Sequence, residues 1–118
     1  MKAAEADPAD LAEIDAFCDT LWLEDGLAKA SLSSYRSDLG QLAGWLAEQR
    51  LGSLCGIDEA TLLRFVATLA QTLRASSQAR YLSTLRRFYR HQLAHGRRTS
   101  DPTLRIAMPV KPSRLPKV

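Results

Sequence analysis

The sequence has few of the residues and patterns that most enzymes and membrane proteins require. It holds only two cysteines, Cys18 and Cys55, each in an apolar context, which indicates two reduced, buried thiols rather than a disulfide framework or a zinc finger. No apolar run approaches the roughly 20 residues that span a bilayer. The first residues also lack the apolar stretch and cleavage pattern of a signal peptide. These absences predict a cytoplasmic protein with no membrane partner.

Motifs for catalysis and cofactor binding are also missing. No Gly-rich phosphate loop occurs, and no Ser/His/Asp or Cys/His arrangement stands out. His91 and His95 are four residues apart, a spacing that can place two rings on one metal, but no carboxylate lies among the residues around them. We therefore interpret both as surface histidines, and we predict no catalytic residue, no metal site and no cofactor in this chain.

The overall length and composition are typical of one folded domain. The chain has 118 residues, of which 46% are hydrophobic and 25% charged, ordinary values for a globular protein. Four segments carry apolar residues at spacings of three and four, without a β-hairpin signal or an internal repeat. We therefore predict an all-α fold, a compact four-helix bundle over residues 1–107. Residues 108–118 contain three prolines, which interrupt helices and favour an extended strap or linker.

Aspartates mark the starts of two predicted helices. Asp7 is placed to cap a first helix that begins at Pro8 and runs to about Leu23, before Gly26 ends it. Asp58 is placed to cap a third helix, which we interpret as scaffold. The inward side chains predicted for the first helix are Leu11, Ile14, Phe17 or Cys18, Leu21 and Trp22.

The second predicted helix, residues 29–49, begins in a concentration of basic and hydroxyl side chains. One serine is expected to cap the helix, but four serines and two basic residues exceed what capping requires. Because the amides at a helix N-terminus favour a bound phosphate, this end is a candidate DNA contact. The cluster comprises Lys29, Ser31, Ser33, Ser34, Arg36 and Ser37.

The fourth predicted helix, residues 76–95, combines an apolar face with a basic one. Ser76 is placed as its cap, and the apolar face holds Leu82, Leu85, Phe88 or Tyr89, and Leu93. Arginines and short polar side chains occupy the other positions. Arginine pairs with phosphate or guanine edges, and Ser, Thr and Gln donate to phosphate or read bases. We predict that this helix contacts DNA and that the rest of the chain holds it in place.

The net charge of +3 conceals a strong segregation of sign. Residues 1–28 hold one basic residue against eight acidic ones, and residues 76–118 hold ten basic residues against one acidic residue. A local positive field of this kind suits a polyanion. The acidic first helix is expected either on the side away from DNA or turned toward a basic partner.

Several segments, taken in order, resemble the N-terminal core-binding domain of the tyrosine recombinases, in the Xer branch. Within residues 17–46 the similarity is clearest in Leu-Trp-Leu-Glu-Asp-Gly-Leu-Ala-Lys-Ala-Ser-Leu-Ser-Ser-Tyr-Arg-Ser-Asp-Leu. It continues in Ser-Gln-Ala-Arg-Tyr-Leu-Ser-Thr-Leu-Arg-Arg-Phe-Tyr at 77–89 and in Asp-Pro-Thr at 101–103. It ends in the proline-containing segment 109–117, which closes with Arg-Leu-Pro-Lys. The joint occurrence of these patterns is more specific than any one of them.

The resemblance implies a SAM-like, orthogonally packed bundle that forms half of a C-shaped clamp around duplex DNA. The second and fourth helices would approach the major groove, and the strap would lead to a C-terminal catalytic domain that supplies the nucleophilic tyrosine. Tyr35, Tyr81 and Tyr89 are then packing residues, not the nucleophile. The implied partners are double-stranded DNA at a recombination site and sister recombinase subunits in a tetramer that acts on chromosome dimers.

Ten residues are the predicted DNA contacts, and two other functions stay open. One is a helix-turn-helix regulator in which residues 73–75 form the turn. The other is a helical interaction module whose basic face meets an acidic protein. The predicted contacts are Lys29, Ser34, Arg36, Ser76, Ser77, Gln78, Arg80, Ser83, Thr84 and Arg87.

Overall fold

In the computed structural model, residues 5–107 are described, and they contain four α-helices and one π-helical turn. The helices are α1 (Pro8–Thr20), α2 (Lys29–Gln49), α3 (Glu59–Thr72) and α4 (Ala75–Ala94), and the π-helical turn Leu21–Asp25 follows α1 directly. No strand occurs in this range, so the predicted all-α fold of four helices is confirmed. Within the same range, no helix has the length and hydropathy needed to cross a membrane. The strap predicted for residues 108–118 lies outside the described residues, and the domain boundary placed before it stays a prediction.

Aspartate caps begin α1 and α3, as predicted. Asp7 accepts a hydrogen bond from the Ala9 amide at 2.8 Å, and Asp58 accepts one from the Thr61 amide at 2.9 Å. The hydrogen bonds from Thr61 lower the pKa of the Asp58 carboxyl. After the π-helical turn, Gly26 has a φ of 66°, a left-handed conformation that glycine adopts without strain.

The buried stripe of α1 differs from the predicted one at two positions. Leu11 and Trp22, both predicted to point inward, are 46% and 48% exposed. Each follows a buried residue by one position, or about 100° around the helix, and so lies at the edge of the stripe. The stripe begins at Asp10, one residue earlier than predicted. The apolar pattern in the sequence does not include this position because its side chain is a carboxylate. The members of the stripe are Asp10, Ile14, Phe17, Cys18 and Leu21.

The core lies between all four helices and is rich in aromatic contacts. Phe17 of α1 is fully buried and packs edge-on against Phe88 of α4, with ring centroids 5.3 Å apart. Tyr81 and Tyr89 are also buried, and their hydroxyls donate to main-chain carbonyls. Burial raises the pKa of both phenols. All three tyrosines are therefore packing residues, as predicted, since Tyr35 is half-buried and packs against the core beside Phe17.

The two cysteines are free thiols in different surroundings. Cys18 is buried, as predicted, but Cys55 is only half-buried. The Cys55 thiol donates to the Gln92 side-chain oxygen at 2.8 Å. Burial raises the pKa of both thiols, which favours the unreactive protonated form.

Asp10 joins α1 to the turn between α2 and α3. Its residue exposure is 2%, and its Oδ1 accepts a hydrogen bond from the Leu54 amide at 3.0 Å. Burial raises the pKa of this carboxyl; the Leu54 hydrogen bond opposes the rise, and repulsion from Asp7 and Glu13 adds to it. The ionised side chain is therefore less favourable in the folded chain than in the unfolded chain.

Replacing Asp10 by asparagine is expected to raise the free energy of unfolding at pH 7, because the amide oxygen still accepts from Leu54 and the buried charge is gone. The raised folded-state pKa means that wild type regains this stability as the pH falls. The advantage of the variant should therefore shrink as the pH approaches the ordinary value of 3.8. Urea titrations at neutral pH and near that value measure the difference.

Asp10→Ala is expected to have the opposite effect on the free energy of unfolding. It leaves the buried Leu54 amide unpaired and should lower the free energy of unfolding by about 1–2 kcal/mol. An asparagine variant less stable than wild type at pH 7 would contradict this account of Asp10.

Candidate nucleic-acid interface

α2 and α4 begin without the side-chain caps that fix α1 and α3. Ala28 and Arg74 occupy their cap positions, no side chain bonds to their first amides, and neither first turn holds an acidic residue. The predictions of a serine cap on α2 and of Ser76 as the cap of α4 are therefore wrong. Since α4 begins at Ala75, Ser76 has helical backbone, whereas a cap residue is extended. Uncapped amides at the positive end of the helix dipole favour an anion such as phosphate.

Asp38, in the middle of α2, fastens α4 to α2. Its carboxylate is 6% exposed and accepts hydrogen bonds from Arg80 Nη1 at 2.6 Å and from Thr84 Oγ1 at 2.9 Å. Its main-chain carbonyl accepts from the Tyr81 hydroxyl at 2.6 Å. Thr84 is a predicted DNA contact, but it is 1% exposed. That prediction is wrong, because the threonine hydroxyl is used inside the helix–helix contact.

Arg87 makes a second contact of this kind two turns further along α4. Its guanidinium donates to the Asp25 carboxylate at 3.0 Å and to the Tyr35 hydroxyl at 3.3 Å, and it lies over the Tyr35 ring. Arg80 contacts Asp38, whereas Arg87, further along α4, contacts Tyr35, which is earlier in α2. The two helices therefore run in opposite directions. The side chains of Arg80 and Arg87 keep 53% and 39% exposure, and Ser83 is exposed between them. We call Arg80, Ser83 and Arg87 the α4 row.

Two of the predicted contacts lie on the opposite side of α2, toward α1. Arg36 forms an ion pair with Asp15 of α1, and this hydrogen bond raises the pKa of the guanidinium further. Lys29 lines the same groove between the two helices. Ser34 is exposed and lies one turn before Asp38, which places it on the side that faces α4. The predicted DNA contacts of α2 therefore lie on two different edges of the helix, one toward α1 and one toward α4.

The first turn of α4 holds the remaining predicted residues and one that the prediction omitted. Ser76 is exposed, and Ser77 and Gln78 are half-buried. The Gln78 side-chain amide donates to the Leu73 carbonyl at 2.8 Å, so it stabilises the α3–α4 connection. Arg74 is exposed at the cap position and forms no ion pair with the residues of 5–107. A cap placed two positions earlier, at Arg74 instead of Ser76, would have drawn attention to it.

The acidic N-terminal segment pairs with predicted contact residues in the same molecule. Asp15 is bound to Arg36 and Asp25 to Arg87, and their carboxylates are 61% and 45% exposed. Water screens such pairs, which contribute little to stability, so a phosphate can replace either carboxylate at low cost. Part of the acidic charge therefore lies beside the basic residues and not only on a remote face.

Most of the chain matches the model of a known family. Residues 14–96, from α1 to the residues just beyond α4, match the family described as Phage integrase, N-terminal SAM-like domain. No solved structure gives a significant match.

Curated relatives agree with the family match. The proteins named tyrosine recombinase XerD of Proteus mirabilis and of Xanthomonas axonopodis pv. citri are each 43% identical to this chain, over 88% and 93% of its length. Tyrosine recombinase XerD of Pseudomonas aeruginosa is 45% identical over 88% of the chain. The alignments cover 33%, 36% and 35% of these relatives, so the chain spans about a third of their length. The resemblance to the tyrosine recombinases is confirmed, and the protein belongs to the phage integrase N-terminal SAM-like domain family.

Proposed function

We propose that this chain is the DNA-binding module of a site-specific, XerD-like tyrosine recombinase and that a further domain cleaves and rejoins the DNA. The observation that carries the proposal is the α4 row, two partly exposed arginines and an exposed serine along one edge of α4 beside α2. Arginine pairs with phosphate or guanine in a bidentate manner, and serine donates to phosphate. The row has the chemistry of a duplex-contacting edge.

The starts of α2 and α4 support the same proposal. Both N-termini lack side-chain caps and acidic first turns, and each has a basic residue at its start, Lys29 or Arg74. Serines with exposed or half-buried side chains, such as Ser34, Ser76 and Ser77, stand nearby. These groups would hold phosphates on either side of the bases that the α4 row approaches.

The proposed partners follow from the family. They are double-stranded DNA at a recombination site and sister recombinase subunits in a tetramer, acting in the cytoplasm on chromosome dimers. Because the relatives named as recombinases are about three times as long as this chain, their catalytic activity enters here only as a property proposed for the whole enzyme.

Salt dependence tests the proposed DNA binding. The affinity of the chain for a fluorescent duplex, measured by anisotropy between about 50 and about 200 mM salt, should fall linearly on a log–log plot. Each phosphate neutralised adds about 0.9 to the slope. Binding that does not change with salt would overturn the proposal, because the arginines and helix N-termini would then not be meeting phosphates.

The two alternative functions predict different results in the same assay. A helix-turn-helix regulator would bind one sequence tightly as a dimer of this chain, whereas half of a clamp should bind weakly by itself. A protein-interaction module would leave the duplex unbound even at low salt. Either result would replace the recombinase module as the best account of the chain.

A further inference from the structure

We infer that Asp38 is a positioning residue for DNA recognition, a buried carboxylate that holds Arg80 in the orientation in which α4 presents it to the duplex. The inference rests on the function proposed for the α4 row. It assigns to an acidic residue a favourable effect on the binding of a polyanion, which charge alone would not predict.

The geometry fixes the Arg80 guanidinium on two sides. One edge donates to the Asp38 carboxylate at 2.6 Å, and the guanidinium carbon lies 5.8 Å from the centroid of the Tyr81 ring. The side chain as a whole nevertheless keeps 53% exposure. An arginine held in this way loses its rotamer freedom when the chain folds, so it does not lose that freedom again when DNA binds.

Asp38 is itself held more firmly than the other carboxylates that pair with predicted contacts. Its side chain is 6% exposed and also accepts from Thr84, while Tyr81 donates to its main-chain carbonyl. Asp15 and Asp25 pair with Arg36 and Arg87, but their carboxylates are 61% and 45% exposed. Exposed carboxylates of this kind mainly lower the local positive potential.

Two opposing effects therefore decide what happens when a carboxylate becomes an amide. The loss of negative charge favours DNA binding, and the loss of a charge-assisted hydrogen bond, about twice as strong as a neutral one, frees the arginine. For Asp25 the first effect should dominate because water already screens the pair. For Asp38 the second should dominate because the carboxylate is buried and its bonds to Arg80 and Thr84 define the orientation.

The test compares D38N with D25N, which remove the same charge. On one duplex at low salt, D38N should weaken binding by about fivefold, and D25N should leave it unchanged or strengthen it. Far-UV circular dichroism at the assay temperature establishes that each variant is folded. D38N binding as tightly as wild type, or more tightly, would overturn the inference.

A double-mutant cycle separates positioning from a general structural effect. In the R80A background, D38N should change the affinity by less than about twofold, because the residue through which it acts is gone. If D38N lowers the affinity fivefold in both backgrounds, Asp38 acts through the fold as a whole and the inference is wrong.

A measurement on wild type avoids any dependence on the folding of the variants. The side-chain Nε–Hε group of Arg80 should give a high NMR order parameter in the free protein, compared with that of the exposed Arg90. Equal mobility of the two side chains would contradict the inference. If wild type does not bind duplex DNA in a salt-dependent manner, the proposed function is wrong as well. If wild type binds and D38N binds equally well, only the role inferred for Asp38 is wrong.

Discussion

Replacing Phe17 by alanine is expected to lower the free energy of unfolding by about 3–5 kcal/mol, the cost typical of truncating a buried aromatic ring. The ring is fully buried and joins three helices. It packs edge-on against Phe88 and His91 of α4, each with a centroid distance of 5.3 Å, and at 6.1 Å from Tyr35 of α2. The alanine variant would leave a cavity at this meeting point, lined by helices that cannot all move inward.

Urea unfolding followed by circular dichroism measures this loss. Domains of this size are commonly stable by about 5–15 kcal/mol, so the variant should lose about a fifth or more of the total. The matched control is Leu23→Ala, since Leu23 is 77% exposed and should change the stability by no more than about 0.5 kcal/mol. A loss below about 1 kcal/mol for Phe17→Ala would be incompatible with the core described above.

Removing both arginines of the α4 row, in the variant R80A/R87A, is expected to weaken duplex binding by about 30-fold, or about 2 kcal/mol. Both side chains stay partly exposed on one edge of α4, where each can meet a phosphate or a base. If both meet phosphates, the slope of log affinity against log salt should also decrease by about two. Anisotropy titrations at several salt concentrations give both quantities.

The matched control for this variant is R97A/R105A. It removes the same charge and also breaks two ion pairs, those with Glu13 and Glu59, but it leaves the α4 row intact. Its affinity should fall only through the weaker overall field. Because loss of Arg80 leaves the Asp38 carboxylate buried without its cation, both variants are compared below their unfolding temperatures. Equal losses in the two variants would show that net charge, and not the α4 row, governs binding.

Features set by local chemistry were predictable from the sequence. The four helices, the Asp7 and Asp58 caps and the end at Gly26 depend on residues within a few positions of one another. The same holds for the burial of Tyr81 and Tyr89, which follows from their place in an apolar helical pattern.

The candidate interface was predictable only in part. Arg80, Ser83 and Arg87 are indeed on the surface of α4, because a helix that buries one face exposes the other. Thr84 looked equivalent to Ser83 in the sequence, yet a position about 100° further around the helix places it inside the contact with α2. The serine caps failed because Ser76 is already within the helix, a difference of one or two residues that local signals do not resolve.

What the sequence by itself determined is the set of helices, the segregation of charge and the family to which the chain belongs. Only the tertiary structure decided which charges meet. Asp38 and Arg80 are 42 positions apart, and Asp25 and Arg87 are 62 apart, so no local pattern relates them. It also decided that Arg36 turns to α1 while the α4 row stays beside α2. The physical reason is that periodicity specifies which face of a helix is buried, but the partner on each side of that face is chosen by the packing of all the helices together.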